Sequence, residues 1–197
     1  MLLKTLSENK KGKALLIAAL GDSLTYGWMV SKGYPDFLEE MIKSRYPESG
    51  VKILNLGVPG DTAEDGLRRI VEVIRDKPDL VMIQFALNDA FSGHTPERFK
   101  RNIESIILRI KQDTDAAILL LTSVPVMYSP EDKIAEKFYD RIKECGSGYN
   151  IPVVCVHEYW KKKITEGVQF SSLLQGDGIH PLENGYRLMA EAVMEFL

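Results

Sequence analysis

The chain has 197 residues, of which 45% are hydrophobic and 27% charged, and this composition predicts one compact domain spanning residues 1–197. Its 25 Lys and Arg residues against 28 Asp and Glu residues give a net charge of −3, which argues against nucleic-acid binding. Apolar runs are all shorter than the ~20 residues that cross a bilayer, so no membrane insertion is expected.

Five apolar segments of strand length recur along the chain, separated by segments with helical period. They are Ala14–Leu20, Val51–Leu56, Asp79–Phe85, Ala116–Leu121 and Val153–Val156. Because each is almost continuously apolar, each is expected to be a strand covered on both faces. Strands that alternate with helices predict an α/β protein with a parallel sheet of about five strands between two helical layers.

Apolar residues at helical spacing mark the intervening segments. The predicted faces are Leu38, Met41, Ile42 and Arg45; Leu67, Ile70, Val71 and Ile74; Phe99, Ile103, Ile106, Ile107 and Ile110; and Leu182, Tyr186, Met189, Val193 and Leu197. Asp61 or Thr62 is expected to cap the second helix, and Thr95 before Pro96 the third. Residues 160–176 are interpreted as a helix end followed by a long loop.

Polar residues and glycine follow the first three predicted strands. Ser23 lies in Gly-Asp-Ser-Leu after the first strand, Gly57 follows the second, and Asn88 follows the third. If the second and third strands flank the first, these residues meet at one edge of the sheet, where ligands bind in open parallel sheets. Asp177 and His180, before the last helix, can fold over the same edge.

A serine hydroxyl becomes a strong nucleophile only when a base accepts its proton and a third group orients that base. Three histidines are available. His94 is interpreted as a capping or solvated residue, and His157 as a residue with a local hydrogen bond. His180 has an aspartate, Asp177, three positions earlier on a glycine-containing turn, so that the carboxylate can reach its Nδ1 atom.

Three donors could stabilise the oxyanion that forms during attack on a carbonyl. They are the N–H groups of Ser23 and Gly57 and the side-chain amide of Asn88. Each also has a structural alternative: Ser23 could cap a helix, Gly57 could serve a turn, and Asn88 could bond its own backbone. Four further residues could line an acyl pocket or simply pack the helical layers, namely Trp28, Phe91, Met127 and Tyr128.

The blocks Gly21-Asp22-Ser23-Leu24, Gly57, Asn88-Asp89 and Asp177-x-x-His180 occur in the order found in the SGNH, or GDSL, hydrolases, and the chain resembles that family. The resemblance implies a flavodoxin-like three-layer α/β/α sandwich with strand order 2-1-3-4-5 and esterase, lipase or thioesterase chemistry without a cofactor. The chain departs from the family at Ala86, where glycine is usual. A methyl group there is expected to narrow the floor of the crevice or shift the backbone.

Other chemistries lack their motifs. There is no Gly-x-Gly-x-x-Gly, no P-loop and no Gly-x-Ser-x-Gly elbow, and the histidines are scattered, so neither a cofactor nor a metal is expected. Cys145 and Cys155 lack metal-ligand spacing. Together with the lack of a recognisable targeting segment, they predict a reduced, cytoplasmic setting.

The expected partner is a small ester. Two alternatives stay open: a non-enzymatic acyl- or sugar-binding module with a vestigial triad, and an acyltransferase or thioesterase. The sequence leaves the oligomeric state open.

Overall fold

The computed structural model describes residues 14–47 and 50–197, in which strands and helices alternate. The strands are β1 (Leu15–Gly21), β2 (Val51–Gly57), β3 (Leu80–Gln84), β4 (Ala117–Leu121) and β5 (Val153–Val154). The helices are α1 (Ser23–Tyr26), α2 (Tyr34–Arg45), α3 (Ala63–Arg68), α4 (Ile70–Arg75), α5 (Leu87–Phe91), α6 (Pro96–Asp113), α7 (Ser129–Tyr149), α8 (Val156–Thr165) and α9 (Glu183–Phe196), with a 3₁₀ turn at Phe170–Ser172. The segment before Ala14, in which no targeting signal is predicted, lies outside the described residues.

The five strands form one parallel sheet in the order β2-β1-β3-β4-β5, which confirms the predicted order. Strand β3 is fully buried and β1 is buried at every residue except Leu16, as their nearly continuous apolar sequence predicts. Gly21 at the end of β1 pairs with Gly57 of β2 and with Gln84 of β3. The carboxyl ends of these three strands are therefore level, and the loops that follow them share one edge.

Helices cover the sheet in two layers. Helix α9 packs against α2 and α8, whereas α6 packs against α3, α4 and α7. The predicted face of α6 is confirmed, since all five of its isoleucine and phenylalanine residues are buried. Thr62 is the N-cap of α3 and Thr95 that of α6. No helix in the described part of the chain has the length and apolar character needed to cross a bilayer.

Three predictions about element boundaries and faces were wrong. The predicted second helix is two helices that meet at Arg69, and this break changes the helical phase, so that Val73 is buried whereas Val71 is 61% exposed. Strand β5 ends at Val154 because Val156 already belongs to α8. Leu182 precedes α9 as its N-cap residue and is partly exposed.

Candidate active site

Ser23 is the first residue of α1, directly after the turn that ends β1. The cap of this helix is the neighbouring Asp22, whose Oδ1 accepts a hydrogen bond from the Leu24 N–H at 2.9 Å. Ser23 is therefore not needed as the cap. Its side-chain oxygen lies 2.9 Å from Nε2 of His180, and its own N–H is one of the donors that a helix leaves unpaired at its start.

Asp177 and His180 form a compact hydrogen-bonded turn. Asp177 Oδ2 lies 2.6 Å from His180 Nδ1, while Oδ1 accepts the N–H groups of Ile179 and His180 at 2.9 and 3.0 Å. Burial alone would raise the pKa of Asp177, but these hydrogen bonds outweigh it and hold the pKa below its ordinary value. The carboxylate is therefore ionised and fixed at both oxygens.

This geometry determines the tautomer of His180. An ionised carboxylate can only accept, so Nδ1 carries the proton that it donates to Asp177. In the neutral imidazole, Nε2 then has a free electron pair, and Ser23 donates its hydroxyl proton to it. His180 is thus arranged to take a proton from Ser23 while Asp177 stabilises the resulting imidazolium.

The turn is held in place by its neighbours. Gln175 donates its side-chain amide to the carbonyl groups of Pro181 and Trp28, at 2.8 and 2.9 Å, and its N–H to the carbonyl of His180. Gly178 has a φ of +69°, which favours glycine, and its carbonyl accepts the N–H of Met127 at 2.8 Å. These bonds join the loop to the sheet edge from two sides.

Gly57 lies at the carboxyl end of β2, where the backbone of α1 approaches closely. A Cβ at this position would be 2.2 Å from the Tyr26 nitrogen, so only glycine fits. The Gly57 N–H donates to the side-chain oxygen of Asn55 at 3.0 Å. The Gly57 N–H can donate to an oxyanion only when the exposed Asn55 side chain turns away. This competing acceptor is a feature that the sequence analysis missed.

Asn88 lies in the first turn of α5, and its side chain bonds a neighbouring loop instead of its own backbone. Its Nδ2 donates to the main-chain carbonyl of Asp61 at 2.9 Å. The amide nitrogen has a second hydrogen that this bond leaves unused. The residue beside it, Asp89, is buried and accepts the Ala63 N–H at 3.0 Å, which links α5 to α3.

Ala86, two residues before Asn88, has a φ of +152°, a conformation in which a side chain is strained. The residue is fully buried, so its methyl group does not reach a solvent-accessible crevice. The expectation that this methyl narrows the crevice floor is therefore wrong. The alternative expectation was a shifted backbone, and the observed φ shows that the backbone at this residue is strained.

Three of the four predicted pocket residues flank the Asp177–His180 turn. The Trp28 ring lies 6.1 Å from the His180 ring between centroids, and a Cβ on Gly178 would be 2.9 Å from Met127 Cβ and 3.3 Å from Tyr128. Phe91 ends α5, close in sequence to Asn88. All four side chains are partly exposed, so they do not simply pack the helical layers.

The other two histidines have carboxylate partners of their own. His94 Nδ1 lies 3.3 Å from Asp89, and the buried His157 has Nε2 3.1 Å from Asp132. Asp132, Glu136 and His157 bring three potential metal-ligand atoms within 4.8 Å, a grouping that scattered sequence positions concealed. Lys161 Nζ lies 3.0 Å from Glu136 and 3.8 Å from Asp132, so an ammonium already supplies the positive charge there.

Comparisons with known proteins identify the family of this chain. The GDSL-like Lipase/Acylhydrolase family matches residues 19–188. Esterase TesA of Pseudomonas aeruginosa is 25% identical over 83% of this chain and 74% of its own length. The crystal structure of a lipase/acylhydrolase from Enterococcus faecalis is 30% identical, with a TM-score of 0.79 over 92% of this chain and 94% of that one.

An acetylxylan esterase from Geobacillus stearothermophilus has the same fold, with a TM-score of 0.81 at 21% identity over 93% of this chain and 94% of that one. Its solved catalytic mutants replace a serine, an aspartate and a histidine by alanine. The family match and the sequence relatives define a hydrolase that acts on ester bonds. The chain belongs to the GDSL-like lipase/acylhydrolase family.

Proposed function

We propose that this protein is a serine esterase that hydrolyses short-chain acyl or acetyl esters through an acyl-serine intermediate. The observation that carries the proposal is the continuous series of contacts from Ser23 Oγ to His180 Nε2, at 2.9 Å, and from His180 Nδ1 to Asp177 Oδ2, at 2.6 Å. The catalytic mutants of the Geobacillus esterase support it, because they replace the same three residue types.

In the first half of the reaction, Ser23 Oγ attacks the ester carbonyl while His180 Nε2 takes the hydroxyl proton. The carbonyl oxygen becomes an oxyanion, which accepts hydrogen bonds from the Ser23 N–H and the free hydrogen of Asn88 Nδ2. Gly57 adds a third donor once Asn55 releases its N–H. The imidazolium then returns the proton to the leaving alcohol as the bond to that oxygen breaks.

In the second half, water attacks the acyl-serine and gives its proton to His180. The tetrahedral intermediate collapses, the acid leaves, and Ser23 recovers its proton. Asp177 stays ionised throughout and stabilises the imidazolium twice per cycle, in agreement with its lowered pKa. The cycle needs no cofactor or metal, since every proton is moved by these side chains and by water.

The substrate is proposed to be a small ester because the predicted pocket residues are side chains at the surface of the site. Trp28, Met127 and Tyr128 are between 38% and 56% exposed, which suits a shallow pocket.

We further propose that residues 1–197 form one domain of this type. The free thiols of Cys145 and Cys155 support the proposed reducing, cytoplasmic setting.

The test is intact-mass measurement after treatment with a fluorophosphonate, followed by hydrolysis rates on acyl and acetyl-sugar esters. The protein should gain one phosphonyl group, and Ser23→Ala should abolish labelling and lower turnover by about six orders of magnitude with the fold intact. Labelling of Ser123 or Ser147 instead would contradict the assignment. Absence of any adduct would favour a binding module, and product partitioning to an added alcohol would favour acyl transfer.

A further inference from the structure

Arg69 connects the backbone before the nucleophile to the loop that follows β2. It lies where α3 meets α4, and its side chain is only 14% exposed. Its Nε donates to Asp61 Oδ2 at 2.7 Å, and its Nη2 donates to the carbonyl of Gly21 at 3.0 Å. One guanidinium therefore bonds the end of β1 to the loop that follows β2.

The first of these segments leads directly to Ser23. The Gly21 carbonyl belongs to the last residue of β1, two positions before Ser23, and it also accepts the Val58 N–H at 3.1 Å. The end of β1 is therefore bonded to the loop after β2 twice, once by backbone and once by Arg69. Both bonds set the distance between the nucleophile and that loop.

The second segment orients Asn88. The Asp61 carbonyl accepts a hydrogen bond from Asn88 Nδ2 at 2.9 Å. A carbonyl can only accept, so it selects the NH₂ end of the amide and leaves one N–H for an oxyanion. The terminal torsion of asparagine is broad, and without this acceptor the amide can rotate and present its oxygen, which repels an anion.

The loop that carries Asp61 depends on an outside contact for its position. The Asp61 N–H closes a turn onto the Val58 carbonyl, with Pro59 and Gly60 between them and Gly60 at a φ of +88°. Beyond this turn, the side chain of Asp61 is held by Arg69, and both partners of this ion pair are about 15% exposed. Because a planar guanidinium donates in two fixed directions, lysine cannot reproduce both contacts.

We propose that Arg69 is a positioning residue for the oxyanion hole, acting through Asp61 on the amide of Asn88. This inference rests on the esterase mechanism proposed above. Arg69 does not touch the substrate in this scheme. It holds the Asp61 carbonyl at the place from which Asn88 is oriented, and it keeps that place fixed relative to Ser23.

The decisive experiment is a double-mutant cycle with Arg69→Met and Asn88→Ala, measured as kcat and KM on p-nitrophenyl acetate. Arg69→Met should lower kcat by about 10- to 100-fold, the cost of a misplacement of ~1 Å, with KM nearly unchanged. Asn88→Ala should lower it by about 100- to 1,000-fold. If Arg69 acts through Asn88, the double variant should be no slower than Asn88→Ala alone.

The neighbouring Arg68 provides the matched control. Its guanidinium pairs with Glu64 and Asp65 and its side chain is 66% exposed, so Arg68→Met should keep wild-type kcat. Inhibition by methyl trifluoromethyl ketone, the ketone analogue of an acetyl ester, supplies a second readout. Ser23 Oγ adds to its carbonyl carbon, and the carbonyl oxygen of the adduct is an oxyanion. The affinity of the enzyme for this inhibitor should fall in parallel with kcat in Arg69→Met. A structural defect that unfolds part of the protein would instead lower the number of active sites that the inhibitor titrates.

Arg69→Lys and Asp61→Asn give the same comparison if Arg69→Met fails to fold, and both should lower kcat without changing KM. The positioning role would be wrong if the double variant lost kcat by the product of the two single-variant factors. It would also be wrong if kcat were unchanged in Arg69→Met. A wild-type protein and an Arg68→Met variant that both lack esterase activity would instead reject the proposed function itself. The two failures are thus distinguishable.

Discussion

The N–H of Met127 donates to the carbonyl of Gly178 at 2.8 Å, and this bond connects the loop after β4 to the Asp177–His180 turn. Val126, next to Met127, donates its N–H to Asp132, whose carboxylate also lies 3.1 Å from Nε2 of the buried His157. Hydrogen-bonded contacts therefore extend from the turn that carries His180 to the interface between α7 and α8. Gly178 is the point at which this path reaches the turn.

Gly178→Ala should lower kcat because the added Cβ would lie 2.9 Å from Met127 Cβ at a φ of +69°. The turn must shift, and a shift of ~1 Å at His180 costs about 100-fold in rate. Gly176→Ala is the matched control, since a Cβ there meets nothing within 4 Å. Steady-state kinetics of both variants test this, and equal rates in the two would show that the contact does not position His180.

The three histidines should separate by function. His180→Ala should reduce activity nearly as much as Ser23→Ala, whereas His94→Ala and His157→Ala should retain most of the activity when folded. His157 is buried against Asp132, so its loss should lower the free energy of unfolding by about 1 to 3 kcal/mol. Esterase rates with urea denaturation separate the two effects, and equal inactivation of all three variants would contradict the assignment of the base.

Ala86→Gly should stabilise the protein. Relief of the strain at a φ of +152° is worth about 1 to 3 kcal/mol, whereas loss of one buried methyl group costs about 0.8 kcal/mol and the greater freedom of glycine in the unfolded chain costs about 0.4 to 1 kcal/mol. A net gain of about 0.5 kcal/mol is expected from the middle of these ranges. Ala90→Gly, inside α5, should instead cost about 0.5 to 1 kcal/mol. Urea denaturation of both variants is the measurement, and destabilisation by both would show that Ala86 is not strained.

Asp22 should make stability depend on pH. Burial raises its pKa from 3.8 to about 7, so between these values the unfolded chain loses a proton that the folded protein retains. The free energy of unfolding contributed by this group therefore falls as the pH rises through that window. Asp22→Asn cannot titrate, and its unfolding free energy relative to the wild type should rise by about 2 kcal/mol from about pH 5 to about pH 7.

Chemical denaturation at a series of pH values measures this difference. Asp115→Asn, at an exposed residue outside the site, controls for the loss of one negative charge. A constant difference between Asp22→Asn and the wild type across the window would show that Asp22 is ionised in the folded protein throughout.

Specificity should peak at short acyl chains. If Trp28, Phe91, Met127 and Tyr128, which are all partly exposed, wall the acyl pocket as proposed, binding gains about 0.8 kcal/mol per methylene only until the acyl chain reaches solvent. We expect the highest kcat/KM from acetyl to about hexanoyl esters, and no activation at lipid–water interfaces. A series of p-nitrophenyl esters tests this, and a steady rise through dodecanoyl would identify a lipase or long-chain thioesterase.

The sequence by itself indicated a parallel sheet of about five strands and the residues of the candidate triad, whereas the strand order was implied by the resemblance to the SGNH hydrolases. Nearly continuous apolar segments indicated strands covered on both faces, which holds for β1 and β3 but not for the edge strand β2, where Lys52 and Asn55 are exposed. The Ser23, Gly57 and Asn88 blocks follow predictable strand ends, and the Asp177–His180 block precedes the last helix. Local rules also located Thr95 as a helix cap and narrowed the cap of α3 to Asp61 or Thr62, because capping depends on neighbours within one turn.

Only the tertiary structure decided which partners the polar groups have. That Asn88 bonds the Asp61 carbonyl and that Arg69 reaches Gly21 depend on how segments after different strands meet. The bond from the Gly57 N–H to Asn55 lies within β2, but the apolar pattern of that strand does not show which group accepts the N–H. The phase change at Arg69 and the grouping of His157 with Asp132 and Glu136 likewise arise from packing between helices. Hydrogen bonds act over about 3 Å, whereas sequence patterns report only which face of an element is apolar.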